Sequence, residues 1–163
     1  MRRKDKEIQA RAEIVEIIEK APVCRLGLCR DNVPYVVPLN FGYRDGCLYL
    51  HCAKEGRKMD MIRANPRVCF EMDTDVEVIR AEQPCDWGMK FASVIGFGTA
   101  SVPEDLEEKK RGLDAIMEHY SSRPPQPYAE SYLKHTAVIR IEVEEMTGKR
   151  SGSSIRSIVG QHS

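Results

Sequence analysis

Three runs of strand-type residues follow one another with almost nothing between them: Val23 to Cys29, Val33 to Tyr43 and Cys47 to Cys52, parted only by Arg30-Asp31-Asn32 and Arg44-Asp45-Gly46. Asp, Asn and Gly accept the backbone conformations that tight turns require, so the runs read as three antiparallel strands of a meander. The rest of the chain lacks the regular strand-helix alternation of a doubly wound α/β fold.

Around this meander the pattern changes period. Ile8, Ala12, Val15 and Ile18 recur at helical spacing and Ala21-Pro22 stops them, which predicts a surface helix at the start. Gly56 to Ala64 carries Met59, Met61 and Ile62 and ends before Asn65-Pro66, a short helix. Sheet resumes from Arg67 to Ile79 and, after the polar interval Arg80 to Asp86, from Met89 to Ala100, where Gly96 and Gly98 predict a bent strand with close backbone approach. Ser101-Val102-Pro103-Glu104 has the form of a capping box ahead of a helix with Leu106, Leu113, Ile116, Met117 and Tyr120 on one face. Ser121 to Tyr128, with three prolines, predicts an irregular linker, Thr136 to Val143 alternates as a last strand, and Gly148 to Ser163 reads as a mobile tail. The expectation is one domain over residues 1–163, mainly β with flanking helices (α+β), built as a six-stranded small barrel, closed or split.

Composition removes several functions. Twenty-five basic and twenty-five acidic residues cancel, which argues against a general nucleic-acid binder and makes any cationic site a local one. Six cysteines without a Cys-x-x-Cys pair read as reduced thiols, mostly in the core. The charged N-terminus leads into an amphipathic pattern with no signal-peptide core, and no run is long enough to span a bilayer, so a cytoplasmic protein without a membrane partner is expected. His119 and His135 lack neighbours at zinc-ligand spacing, and no metal site is predicted.

The chemistry concentrates between Tyr35 and Lys58. Lys54-Glu55-Gly56-Arg57-Lys58 brings three cations to a helix start, where unpaired N–H groups and the helix dipole favour a phosphate, and Gly56 lets the backbone come close; an ordinary solvated basic loop is the competing reading. His51 ends the strand before that loop and could donate a hydrogen bond, move a proton or be structural. Pro38 cannot donate to a ladder, which leaves an edge strand or a backbone free to meet the polar edge of a planar ring, with the Asn40 amide nearby. Ser93 is a small hydroxyl in an apolar strand, and Lys149-Arg150 could reach a neighbouring subunit's site or serve only solubility.

In order and spacing, Pro34 to Phe41, Tyr49 to Ala53, Gly56 to Asp60, Asn65 to Phe70, Ser93 to Gly98 and Met117 to Tyr120 resemble the flavin-binding split barrels of the pyridoxamine 5'-phosphate oxidase-like superfamily, in the branch similar to 5-nitroimidazole resistance proteins. The resemblance covers about Glu13 to Arg150. It implies a homodimer with FMN at the subunit interface. Val37, Pro38, Leu39 and Asn40 would line the ring, Ala53, Gly56, Arg57 and Lys58 would serve the phosphate, and Ser93 and Val94 would approach from another strand. His51 matches the histidine beside the flavin, with the role of substrate-side donor or proton relay. Cys52, where Ser or Gly is usual, and Trp87, in a variable region, depart from the pattern.

The function expected on that resemblance is an FMN-dependent oxidoreductase taking electrons from NAD(P)H to a small organic acceptor, a nitro-aromatic such as a 5-nitroimidazole among the candidates. A non-enzymatic FMN carrier or sensor and a haem-binding split barrel are the alternatives.

Overall fold

The computed structural model describes residues 4–121 and 127–152. Its strands are β1 (Glu7–Ile8), β2 (Cys24–Arg30), β3 (Val33–Leu39), β4 (Phe41–Arg44), β5 (Cys47–Ala53), β6 (Arg67–Ile79), β7 (Gly88–Ser101) and β8 (Thr136–Ser151). The α-helices are α1 (Arg11–Lys20), α2 (Arg57–Ala64), α3 (Leu106–Tyr120) and α4 (Glu130–His135). One antiparallel sheet runs β3-β2-β6-β7-β8-β5-β4, with β1 added to β8. Its two edges, β3 and β4, are consecutive in the chain and separated only by Asn40, so the sheet curls toward closure without pairing its ends. This is a split barrel.

The six anticipated strands are all present; the run Val33 to Tyr43 breaks at Asn40 into β3 and β4, and β1 adds a short eighth. Both hairpin turns depend on left-handed residues. Asp31 and Asn32 have φ of 51° and 61°, Asp45 and Gly46 of 51° and 78°, the backbone of the two-residue turns whose twist matches the strands they join. Gly98 also answers a steric demand, because a Cβ there would lie 2.2 Å from the Glu142 carbonyl oxygen; beside it the β7–β8 register shifts.

The interior is filled by alternate residues of the strands, among them Leu26, Phe41, Leu48, Leu50, Phe70, Met72, Val94, Ile139 and Ile141, with Ile14, Ile17 and Ile18 of α1 closing over them. A second apolar layer joins Tyr49 and Val138 to Leu113, Ala115 and Ile116 of α3. Two ring residues lock the end of α3 to the sheet. The Tyr120 hydroxyl accepts from the Phe41 N–H (3.2 Å) and donates to the Pro22 carbonyl (3.1 Å), while His119 Nε2 lies 2.8 Å from the Ala21 carbonyl and its ring packs on Phe41.

Several expectations are corrected. Ile8 belongs to β1, and α1 buries Ile14, Ile17 and Ile18 rather than Ala12. In α3 the buried face is Lys109, Gly112, Leu113, Ala115 and Ile116, with Leu106 and Met117 exposed, because Gly112 lets Tyr49 and Val138 come against the helix. The helix is capped by Asp105, whose side chain accepts from the Glu108 N–H at 2.9 Å, and not by Ser101, which is still in β7. Gly148 to Ser151 is strand rather than tail: Gly148 pairs with Val94 and Ile8, and its missing side chain leaves room for Ile14. Residues 153–163 of the anticipated tail and 122–126 of the anticipated linker lie outside the described residues.

One consequence of the Asp105 cap is measurable. Asp105→Ala removes a partner from the first turn of α3 and should cost about 1 kcal/mol of stability, read as a lower urea midpoint.

Candidate functional site

The start of α2 is assembled by its sequence neighbours. Gly56 is the residue before the helix, with φ of 113°, a conformation other residues rarely adopt, and a Cβ there would meet nothing within 4 Å. No side chain caps the helix. Its first rung runs from the Asp60 N–H to the Gly56 carbonyl at 3.1 Å, so the N–H groups of Arg57, Lys58 and Met59 precede the ladder and are available to an anion. Met59, Met61 and Ile62 anchor the opposite face in the core.

Two cations are aimed from this start. Arg57 lies over the Tyr35 ring, 4.8 Å from its centroid, which couples α2 to β3 and fixes the guanidinium direction. The Lys58 ammonium is close enough to His51 and Cys52 to act on both. His51 and Cys52 are successive strand residues and therefore face opposite ways: Cys52 packs against the barrel core beside Met59, with Sγ 3.6 Å from its sulfur, whereas His51 shares the sheet face of Tyr49.

Burial first, and then the positive Lys58, lower the His51 pKa below its ordinary 6.5. The imidazole is neutral at pH 7, with one nitrogen to donate and one to accept. The Cys52 thiol is raised by burial, only partly offset by Lys58, so it stays protonated at neutral pH. Cys24, sealed in the core, is pushed up to about 12 by the same cause.

His51 supplies a testable pH dependence. The unfolded chain takes up its proton near 6.5 and the folded chain resists until lower pH, so the stability His51 contributes is present above 6.5 and lost as pH falls through the folded value. An NMR titration of the His51 ring should give a midpoint below 6.5 that moves upward in Lys58→Ala, where the neighbouring cation is gone.

The other residues singled out from sequence are distributed as follows. Val37 and Leu39 are half-buried toward the core, while Pro38 is exposed on β3, an edge strand, which is where a proline fits, and Asn40 is exposed between β3 and β4. Ala53 is exposed at the end of β5. Ser93 is half-exposed on the outer sheet face, in register with Asp73 and Lys149. Val94 is fully buried, its side chain filling the core. Lys149 sits over the Phe91 ring at 5.2 Å and Arg150 lies 3.8 Å from Glu13 of α1, so in a single copy both are engaged away from the Lys54–Lys58 loop. Tyr35 is the residue that sequence reading missed.

Among the described residues no three His, Cys, Asp or Glu side chains gather as a metal site, and no helix is long and apolar enough to cross a membrane.

A model of the pyridoxamine 5'-phosphate oxidase family matches residues 10–150, and the chain belongs to that family. A crystal structure of a proposed 5-nitroimidazole antibiotic resistance protein from Bacteroides thetaiotaomicron VPI-5482 is 34% identical, with a TM-score of 0.79 over 88% of this chain and 86% of that one. The FAD and haem binding protein of Mycobacterium smegmatis has a TM-score of 0.81 over 90% of this chain and 73% of that one; at 18% identity it shares the fold. An uncharacterized protein of Rhizobium meliloti (strain 1021) is 31% identical over 65 residues, 40% of this chain, and that match spans 42% of the relative's length.

Proposed function

We propose that the chain is a flavin-dependent oxidoreductase acting as a homodimer, holding FMN between the start of α2 and the free edge of β3. It would pass electrons from a reduced nicotinamide to a small organic acceptor, with a nitro-aromatic the leading class. The observation that carries this reading is the uncapped helix start, where free N–H groups, the open space at Gly56 and the Lys58 ammonium fit a phosphate monoester. The likeness to a proposed 5-nitroimidazole resistance protein favours the acceptor class.

A bound flavin would supply hydride acceptance and electron transfer at its tricyclic ring. The chain's own residues bind and orient. Lys58 and the N–H groups of α2 hold the dianion, and Arg57, kept in place by Tyr35, borders the same space. The unpaired edge of β3 at Val37, Pro38 and Leu39, with Asn40 just beyond it, offers main-chain donors and acceptors to a ring edge. Neutral His51 holds its proton at one ring nitrogen and presents it to a substrate oxygen.

The homodimer rests on the outer face of the sheet. Met89, Ile95 and Phe97, 45%, 45% and 43% exposed, occupy alternate positions of β7, a strand with neighbours on both sides. An apolar stripe in mid-sheet calls for a cover. A second copy placed there would meet Ser93 and Lys149, which share that outer face; Arg150, the next residue, faces α1 instead.

Turnover separates an enzyme from a carrier. Flavin-loaded protein should oxidise reduced nicotinamide faster on addition of a nitro-aromatic or quinone; a yellow protein that gives no acceptor-dependent oxidation is a carrier or sensor. The haem alternative, which the Mycobacterium smegmatis fold neighbour raises, would show as a Soret band in place of flavin absorbance.

A further inference from the structure

A cavity of about 340 Å³ opens between α2 and the segment leading into α3, with Lys54, Arg63 and Lys109 around it, Met59 and Ala137 in its wall and Glu104 at its edge. Lys109 is the unusual member. It is 8% exposed and lies on the apolar face of α3, and its Nζ donates to the Leu133 carbonyl at 2.7 Å, capping the end of α4. An ammonium carries three donors, so that bond uses one of them.

Burial, and then to a lesser degree the positive Lys54, lower the Lys109 pKa. Among the described residues neither lysine has a carboxylate within ion-pairing distance; Arg63 has Asp60 at 3.6 Å, and its other terminal nitrogen donates to the Lys54 carbonyl at 3.1 Å. Three cations therefore border a partly apolar cavity against one exposed carboxylate, Glu104. Capping α4 accounts for the position of Lys109 but not for the convergence of Lys54 and Arg63 on the same space.

We propose that this cavity is a second oxyanion site, in which a phosphate group is held by Lys109 and Lys54 with Arg63 at the rim. The cavity adjoins the start of α2, since Met59 lines it and Lys54 precedes Gly56, but its cations are Lys54, Arg63 and Lys109 rather than Arg57 and Lys58, so the proposal does not depend on the FMN reading. Arg63 is in the last turn of α2, six positions beyond Arg57, which sets it about 9 Å along the helix from the cations at its start. A free phosphorylated metabolite and the second phosphate of a dinucleotide such as FAD share this chemistry.

Titrating the full chain with inorganic phosphate in the presence of saturating FMN, which occupies the start of α2, tests the proposal calorimetrically. Binding should weaken tenfold or more in Lys109→Met and in Lys54→Ala and persist in Lys58→Ala. Lys54 is an exposed loop residue, so its variant reports even if Lys109→Met loosens α4. Parallel titrations with FMN and FAD identify the source: if Lys109→Met weakens FAD and spares FMN, the dinucleotide's second phosphate occupies the cavity, and if it spares both, a free metabolite does. Absence of phosphate binding, binding indifferent to both lysines, or loss in Lys58→Ala alone would overturn the second site. Loss of FMN in Lys58→Ala with phosphate retained would support both sites independently.

Discussion

Lys58→Ala should weaken FMN by about 1.5–3 kcal/mol, roughly ten- to hundredfold, while leaving riboflavin nearly unaffected. The difference between the two ligands is the phosphate alone. Lys58 stands in the first turn of α2, where no side chain caps the helix and the first rung begins only at Asp60, so its ammonium and the free N–H groups address one anion together. Removing the charge leaves the helix donors in place, which is why the loss is partial. Fluorescence titration of flavin-free protein with each ligand measures it, and equal weakening of both would mean that Lys58 does not contact the phosphate.

Gly42→Ala should cost 3 kcal/mol or more, the upper end of the roughly 1–3 kcal/mol typical of overpacking. Gly42 is buried in β4, and a Cβ there would lie 2.3 Å from both the carbonyl carbon and oxygen of Ala115 and 2.5 Å from the Ile116 nitrogen. These are backbone atoms of α3 and cannot turn aside as a flexible side chain would. The helix must lift from the sheet, opening the layer that Leu113 and Ile116 form with Tyr49 and Val138. Gly27→Ala is the control, because its Cβ meets the Cys69 carbonyl oxygen at 3.4 Å, an ordinary contact. Urea unfolding should show a large fall in midpoint for the first variant and little change for the second.

The parts of this fold that a reader of the sequence can see are those whose cause is local. Asp31-Asn32 and Asp45-Gly46 announce hairpins because the turn needs residues that tolerate positive φ, and both hairpins are there. The α2 start is legible for the same reason: Gly56, Arg57 and Lys58 are adjacent, so the local sequence holds the whole arrangement. What was misread depends on distant partners. The extension of β8 through Gly148 is written in Ile8 and Ile14, which need a residue without a side chain opposite them. The buried face of α3 follows from Gly112 meeting Tyr49, a contact 63 positions apart. Tyr35 holds Arg57 from β3, a strand distant from α2 in the chain, and nothing near Arg57 in the sequence points to it. Lys109 did leave a trace, since it falls three residues after Leu106 and four before Leu113, a charge on an apolar helical stripe.

The central claim is that the start of α2 holds the flavin's phosphate while the edge of β3 meets its ring. A crystal structure of the full chain grown with FMN tests it most directly. The account predicts the phosphate within hydrogen-bond distance of Lys58 Nζ and of an N–H in the first turn of α2, with the ring against Val37 to Asn40. Flavin bound elsewhere with that helix start open to solvent, or a porphyrin in the crevice, would contradict it.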